Sequence, residues 1–351
     1  MRALKLLGPS KAELVEVDEP SLRPGSVKVA VEYAGICGSD LGLYQYGGLP
    51  AGYRHPIFNE EGPFTLGHEF SGRVTEVGEG VSSVGKGDLV AIRPNVWDGT
   101  CAACLRGETN LCEKGGFIGL MGGGGGFSDT VVASEDNVYR LPASFTPQLG
   151  AMVESTAVAW HATKVGGVRD GSTVLILGAG PVGLGVLLCA RARGAARVIV
   201  SELSDTRKQL ASELGADVVD PRETDLLAYV REATLGAGAD AGFDASGVGA
   251  ATLGPALDAV RSGGTVVVIA RFHGETPIDP NILMNNEKKL AGSLAYTDAD
   301  FREVIEAIDS GLLDPAPLIS SVIPLEETAS GGFDLLLGEG RNSEVKILVK
   351  P

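Results

Sequence analysis

The sequence predicts an α/β protein in which a doubly wound parallel sheet is joined to a β-rich second domain. Two observations carry this. The first 150 or so residues hold β-branched, alternating runs broken by glycine, and the middle of the chain alternates short apolar strands with helical periodicity. The 50 glycines and 18 prolines among 351 residues supply the many tight turns such a fold needs. At about 100 to 200 residues per domain the length gives two domains, and a hydrophobic content of 44% is enough for sizeable cores.

In order along the chain, SVKVAVEY at 26–33 alternates as a strand does, and RVTEVGEGVSSVGKGDLVAI at 73–92 continues as strands separated by glycine turns. MGGGGGF at 121–127 is the one low-complexity stretch and reads as a flexible loop between strands. The pattern then changes. A helical run, MVESTAVAWHATKV, is followed by TVLILGAG, PVGLGVLLCARARG, RVIVSE, SDTRKQLASELGA, GFDAS, ATLGPALDAVRSG and GTVVVIA, a βαβ series that calls for a parallel sheet. After about residue 290 the alternation ends. A helix, DADFREVIEAIDSG, precedes a last strand, EVKILVK, whose partners lie either in the first domain or in an extension of the parallel sheet.

The formal charge of −16, from 29 basic and 45 acidic residues, opposes binding to nucleic acid and to anionic membranes. The amino-terminal MRALKLLGPSKAELVEV lacks the apolar core of a secretory signal, and no apolar run reaches the roughly 20 residues that span a bilayer. A cytoplasmic protein is expected. The five cysteines are odd in number and clustered, which favours metal ligation over disulfides.

Gly178, Gly180 and Gly183 form G-A-G-P-V-G between the strand TVLIL and a helix. The first glycine permits the tight turn, the second admits a pyrophosphate to the backbone, and the third lets helix and strand pack closely. The next strand, RVIVSE, ends in Glu202, where an acid would accept hydrogen bonds from the adenosine ribose hydroxyls. A carboxylate there repels a 2′-phosphate, so NAD is favoured over NADP, although Arg207 and Lys208 stand nearby. A βα unit whose glycines serve only the turn is the plainer reading, and strand, helix and acid together weigh against it.

Cys101, Cys104 and Cys112 stand in C-x2-C-x7-C spacing with Asp98 three residues before the first. A metal site with one oxygen ligand, a lobe that has lost its metal, and a redox pair all remain open. A nucleic-acid zinc finger is disfavoured by the charge, and a thioredoxin-like motif by the missing strand-to-helix context. Cys189, within LLCARA, reads as a buried apolar side chain. Cys37 and His68 lie in the β-rich part and Glu154 at the domain changeover; singly, each could be a core residue.

Taken together and in order, GICGSD, LGHEFSGRVTEVG, the cysteine cluster, Glu154, GAGPVG and SLAYTDADF resemble the zinc-dependent medium-chain dehydrogenases over essentially the whole chain. GGGGGFSDTVV and GSLAYT draw the likeness toward the 2,3-butanediol and sorbitol dehydrogenase branch. The resemblance implies a GroES-like catalytic domain from residues 1–153 and 291–351 around a Rossmann domain at 154–290. It implies catalytic zinc on Cys37 and His68, with Glu154 or Glu69 as third ligand, and Ser39 as the hydroxyl that passes on the alcohol proton. It places Gly178, Gly180, Pro181, Val182, Gly183, Glu202, Arg207, Ser246, Ala270 and Leu294 along the cofactor. Asp98, Cys101, Cys104 and Cys112 would fill a structural zinc lobe, with Asp98 where the family usually has a cysteine. The relay histidine often found five residues after the zinc cysteine is replaced by Gly42, and His55 is the nearest other histidine.

The implied reaction is oxidation of a secondary alcohol to a ketone, and its reverse. A vicinal diol or hydroxyketone such as 2,3-butanediol or acetoin comes first among substrates, and a polyol or cyclitol second. Two rival readings are a zinc-free reductase of the same fold, against which Cys37, His68 and Glu154 weigh, and a redox-inactive NAD-binding protein. A homodimer or homotetramer is implied by the resemblance only.

Overall fold

The structure, a computed structural model, describes residues 1–272 and 274–351. The chain separates into two compact units. One comprises 1–154, 297–309 and 315–351; the other comprises 155–296 and 310–314. The second changeover falls after Tyr296 and not at 290/291, because Lys289–Gly292 is still a strand of the parallel sheet.

The first unit opens with a hairpin of β1 (Arg2–Gly8) and β2 (Lys11–Glu16), then β3 (Ser26–Gly35), helix α1 (Gly38–Tyr46) and β4 (Glu69–Val77). It continues through β5 (Leu89–Ile92), β6 (Asn95–Val96), the short helix α2 (Ala102–Leu105), β7 (Gly116–Phe117), β8 (Thr130–Ser134), β9 (Val138–Arg140) and the start of α3 (Pro147–Val165). The alternation in SVKVAVEY puts Val27, Val29 and Val31 on one face of β3, where they join Phe70, Val90, Ile92 and Phe127 in the core.

In the second unit β10 (Thr173–Leu177), α4 (Pro181–Ala192), β11 (Arg197–Ser201), α5 (Asp205–Glu213), β12 (Asp217–Val219), α6 (Leu226–Ala233), β13 (Ala239–Asp244), α7 (Ala250–Ala259), β14 (Val260–Val268), α8 (Pro280–Met284) and β15 (Lys289–Gly292) alternate. The strands are parallel in the order β12-β11-β10-β13-β14-β15, the Rossmann arrangement. Val174, Leu175 and Ile176 are completely buried, as expected where both faces of a sheet are covered. Cys189 is likewise buried in α4.

The chain returns to the first unit with α9 (Asp298–Asp309), β16 (Ile319–Pro324) and β17 (Lys346–Lys350). β17 pairs with β3 antiparallel and with β16 parallel, so the last strand completes the first unit's sheet, β16-β17-β3-β4-β5-β9, with β8 also on β3. Among the described residues no helix is long and apolar enough to cross a membrane.

Two sequence expectations fail here. The helix expected over ATLGPALDAVRSG stops at Ala259, and Val260 already belongs to β14, where it packs in the core. The glycine run is not a flexible loop. A Cβ on Gly126 would lie 2.7 Å from Phe70 Cβ, one on Gly125 2.4 Å from the Leu66 carbonyl oxygen, and one on Gly123 2.7 Å from the Phe58 ring. The glycines are there because backbone packs against other residues too closely for side chains.

Candidate catalytic metal centre and nucleotide crevice

β3 ends at Gly35 and delivers Cys37 as the N-cap of α1. Asp40, three residues on, reaches back: its Oδ2 accepts from the Cys37 N–H at 3.0 Å, closing a capping box. Its Oδ1 accepts from the Gly67 N–H at 3.3 Å and lies 3.4 Å from His68 Nδ1. One buried carboxylate therefore holds the cysteine turn and the histidine turn together. Gly67 at φ +93° makes that second turn, and a Cβ there would lie 2.7 Å from the Phe127 nitrogen.

Across this joint, ligand atoms of Cys37, His68 and Glu69 come within 4.8 Å of one another. Ser39 Oγ is 3.1 Å from His68 Nε2. Glu69 Oε2 accepts from Lys346 Nζ at 2.6 Å, and both residues are at most 2% exposed. Lys346 also donates to the Ile36 carbonyl oxygen at 3.2 Å. Glu154 is buried as well, and its charge acts on Lys346.

Burial opposes every charge in this cluster, yet the partners prevail. Lys346 holds Glu69 below the usual carboxylate range, and Glu69 holds Lys346 above the usual ammonium range. Asp40 and Cys37 draw His68 well above its usual value against desolvation. The pocket attracts positive charge, and Glu69 Oε1 is buried with no hydrogen-bond partner. A thiol, an imidazole and a carboxylate of this disposition form a zinc donor set, and the residues present fit that ion.

Gly42 lies on α1, and a Cβ there meets nothing within 4 Å. His55 does not stand in for the missing relay residue. It is buried, its Nδ1 accepts from the Ile57 and Phe58 N–H groups, and Nε2 is 3.3 Å from the Gly115 carbonyl oxygen, so it holds a turn.

The cysteine stretch is a lobe closed at its base by β6 against β7. Ligand atoms of Asp98, Cys101, Cys104 and Cys112 lie within 4.8 Å of one another. Asp98 Oδ1 accepts from the Thr100 and Cys101 N–H groups at 2.9 and 3.1 Å and is 3.6 Å from Cys112 Sγ. Those backbone donors hold its carboxyl far below the usual range, so it is ionised beside three thiols. Burial and the neighbouring thiols push Cys104 up to about 12, a proton that a bound cation would displace. Three thiols and one carboxylate also fit zinc.

In the second unit, Gly178 follows β10 at φ +93°, Gly180 caps α4, and Pro181 starts it. A Cβ on Gly183 would sit 1.9 Å from the Gly178 carbonyl oxygen, so the third glycine is a steric requirement. Glu202, just past β11, does more than wait for a ribose. Its Oε2 accepts from the Ala179 N–H at 2.6 Å and its Oε1 from the Leu203 and Ser204 N–H groups, which fixes the glycine loop and uses most of its lone pairs. A guanidinium nitrogen of Arg207 reaches within 4.0 Å of where a Gly180 Cβ would stand, whereas Lys208 and Arg222 both pair with Asp220.

Ser246 follows β13 and lies against Gly178; Ala270 follows β14 and lies against Gly247. Leu294, two residues past β15, is 58% exposed. These positions share the carboxyl ends of the parallel strands, where open α/β sheets bind ligands. The sequence reading missed three supporting residues. The capping spacing C-x-x-D was a signal for Asp40. Asp244, which accepts from the N–H groups of Ser246 and Gly247 and from the Thr252 hydroxyl, had only its place at a strand end. Lys346 had none, since its partner is 277 residues away.

Two family profiles match: an alcohol dehydrogenase GroES-like domain over residues 23–143 and a zinc-binding dehydrogenase over residues 181–310. The chain belongs to the zinc-binding alcohol dehydrogenases of the medium-chain dehydrogenase superfamily and is an oxidoreductase of that NAD(P)-using family. It is 37% identical to the (R,R)-butanediol dehydrogenase of Bacillus subtilis, with all of both chains covered. It is 31% identical to the sorbitol dehydrogenase of the same organism, covering 100% of this chain and 97% of the relative. The crystal structure of 2R,3R-butanediol dehydrogenase from Bacillus subtilis superposes with a TM-score of 0.93, covering 100% of this chain and 99% of the other at 37% identity.

Proposed function

We propose that this enzyme interconverts a secondary alcohol carrying a neighbouring hydroxyl or carbonyl, such as 2,3-butanediol or acetoin, with its ketone, using NAD. The convergence of Cys37, His68, Glu69 and Ser39 on one pocket carries the reading, and the 37% identical butanediol dehydrogenase supports the substrate class. The catalytic zinc would be held by Cys37 and His68, with Glu69 or Glu154 as third ligand, and a structural zinc by Asp98, Cys101, Cys104 and Cys112.

When bound, zinc would supply Lewis acidity at the substrate oxygen and NAD would supply a hydride acceptor. The protein orients and moves protons. Ser39 receives the alcohol proton at Oγ, beside His68 Nε2. With Gly42 in place of a histidine, water or another group carries that proton onward. Asp40 keeps the His68 ring in position, as outer-shell carboxylates do at metal sites. Lys346 holds Glu69 so that the carboxylate stays charged without solvent.

Glu202 favours NAD through its remaining lone pair and its charge, while Gly178, Gly180, Pro181, Val182, Gly183, Arg207, Ser246, Ala270 and Leu294 line the cofactor. A cytoplasmic homodimer or homotetramer completes the proposal. A polyol substrate is the second reading, favoured by the sorbitol dehydrogenase relative. The experiment is a panel of (R,R)-butanediol, its stereoisomers, acetoin, sorbitol, xylitol and threonine with NAD and NADP, followed by reduced-cofactor absorbance. The highest kcat/KM on a butanediol isomer with NAD is the expected result. A preference for sorbitol or xylitol transfers the assignment to polyols, and NADP activity equal to NAD activity overturns the cofactor choice.

A further inference from the structure

The second unit has a pocket of about 150 Å³ lined by Arg169, Arg261, Lys289 and Asp240, with Gly263 and Gly264 among the backbone groups. It lies at the amino ends of the parallel strands: β10 begins at Thr173, β13 at Ala239 and β15 at Lys289. The glycine loop and Glu202 are at the opposite, carboxyl ends, so this pocket is separate from the nucleotide crevice.

Its charges do not cancel. Asp240 is engaged through both oxygens, accepting from Arg261 Nε at 2.8 Å on one and from the Thr173 N–H at 2.8 Å on the other. Arg169 reaches Asp240 only through its charge, and neither its side chain nor that of Lys289 has a hydrogen bond or ion pair among the described residues. Both are exposed to an arriving ligand. Three cations against one carboxylate leave two positive charges in excess.

The carboxyl ends of α3 and α7, close by in sequence at Val165 and Ala259, oppose this with roughly half a negative charge each. About one positive charge still remains. In a chain whose formal charge is −16, with acids outnumbering bases 45 to 29, two unpaired cations converging on one concavity are out of keeping with the rest. The volume is several times the roughly 30 Å³ of one liquid water, room for a tetrahedral oxyanion with part of its hydration. An arginine fork beside a lysine point charge suits phosphate oxygens.

We propose that this pocket, at the amino ends of the parallel strands, binds a phosphate group through Arg169, Arg261 and Lys289. Bound phosphate stabilises the second unit by mass action, since the unfolded chain lacks the site.

The test is calorimetric titration of the full chain saturated with NAD, so that the pyrophosphate position is filled. Inorganic phosphate, glycerol 3-phosphate and acetate are compared at constant ionic strength, in the wild type and in the Arg169→Gln, Lys289→Gln double variant. Saturable phosphate binding weakened at least tenfold in the double variant, with unchanged turnover, is expected. Equal affinity for the two phosphates assigns the free ion, and tighter glycerol 3-phosphate assigns a phosphate ester; either supports the site. No saturable binding, acetate binding as tightly, or unchanged affinity in the variant overturns it. Lys289→Gln alone, expected to weaken binding about threefold, serves if the double variant does not fold.

Discussion

Lys346→Met tests whether the ion pair beneath the proposed metal centre is as buried as its geometry states. The substitution keeps an unbranched apolar stem of similar reach and deletes Nζ. That removes the 2.6 Å contact to Glu69 Oε2 and the 3.2 Å bond to the Ile36 carbonyl oxygen. Glu69 Oε1 already has no hydrogen-bond partner, so a carboxylate 1% exposed would lose its one cationic hydrogen-bond donor and keep only the neighbouring Cys37 thiol and His68 charge. Removing one member of a buried pair costs about 3–5 kcal/mol, mostly as the penalty on the stranded charge.

With a urea m-value of about 2–3 kcal/mol/M, the unfolding midpoint of the first unit should fall by about 1–2.5 M. The Lys346→Met, Glu69→Gln double variant removes the stranded charge and should recover most of the loss. The sign with pH is fixed by both partners. Glu69 is lowered, so its contribution is present above the unfolded carboxyl value and fades as pH falls through the folded one. Lys346 is raised, so its contribution is present below the unfolded ammonium value and fades as pH rises through the folded one. In the variant the unpaired Glu69 is instead raised by its burial and takes up a proton more readily, so the difference between wild type and variant should be largest on the alkaline side, below the unfolded ammonium value, and shrink as pH falls. Urea unfolding followed by tryptophan fluorescence, at matched zinc content, reads all of this. A loss below about 1 kcal/mol in the single variant would show that Glu69 is solvated or has another partner, and the reasoning would fail.

Cys37→Ser and His68→Ala should each abolish turnover while NAD binding, read by fluorescence titration, survives; unchanged kcat in either refutes the proposed metal centre. Cys101→Ser should lower zinc from about two to about one per chain by elemental analysis, since one of four donors is lost; about one zinc per chain in both wild type and variant shows that the lobe holds none. Gly126→Ala places a Cβ 2.7 Å from Phe70 Cβ, and overpacking of that kind costs about 1–3 kcal/mol; a thermal midpoint equal to wild type would mean the run has room to give. Glu202→Ala should weaken NAD binding at least tenfold, since it frees the Ala179 N–H and the glycine loop with it; an affinity within twofold of wild type contradicts that positioning role.

The features legible in the residues alone are local and periodic. Continuous apolar strands alternating with helices imply a parallel sheet, and G-A-G-P-V-G between β10 and α4 implies a nucleotide turn, because each depends on residues within about one βα unit. The order of GICGSD, LGHEFSG and the cysteine cluster placed the chain in its family, and with it the candidate ligands. Folding settled what depends on long-range approach. It chose the first unit's sheet for the last strand, brought Lys346 to Glu69, set Asp40 against both Cys37 and His68, and packed four of the five glycines at 122–126 tightly against other segments. No local pattern encodes these, since a buried charge is tolerable only where a partner distant in sequence arrives, and a glycine is obligatory only where another chain segment takes up the space of its missing Cβ.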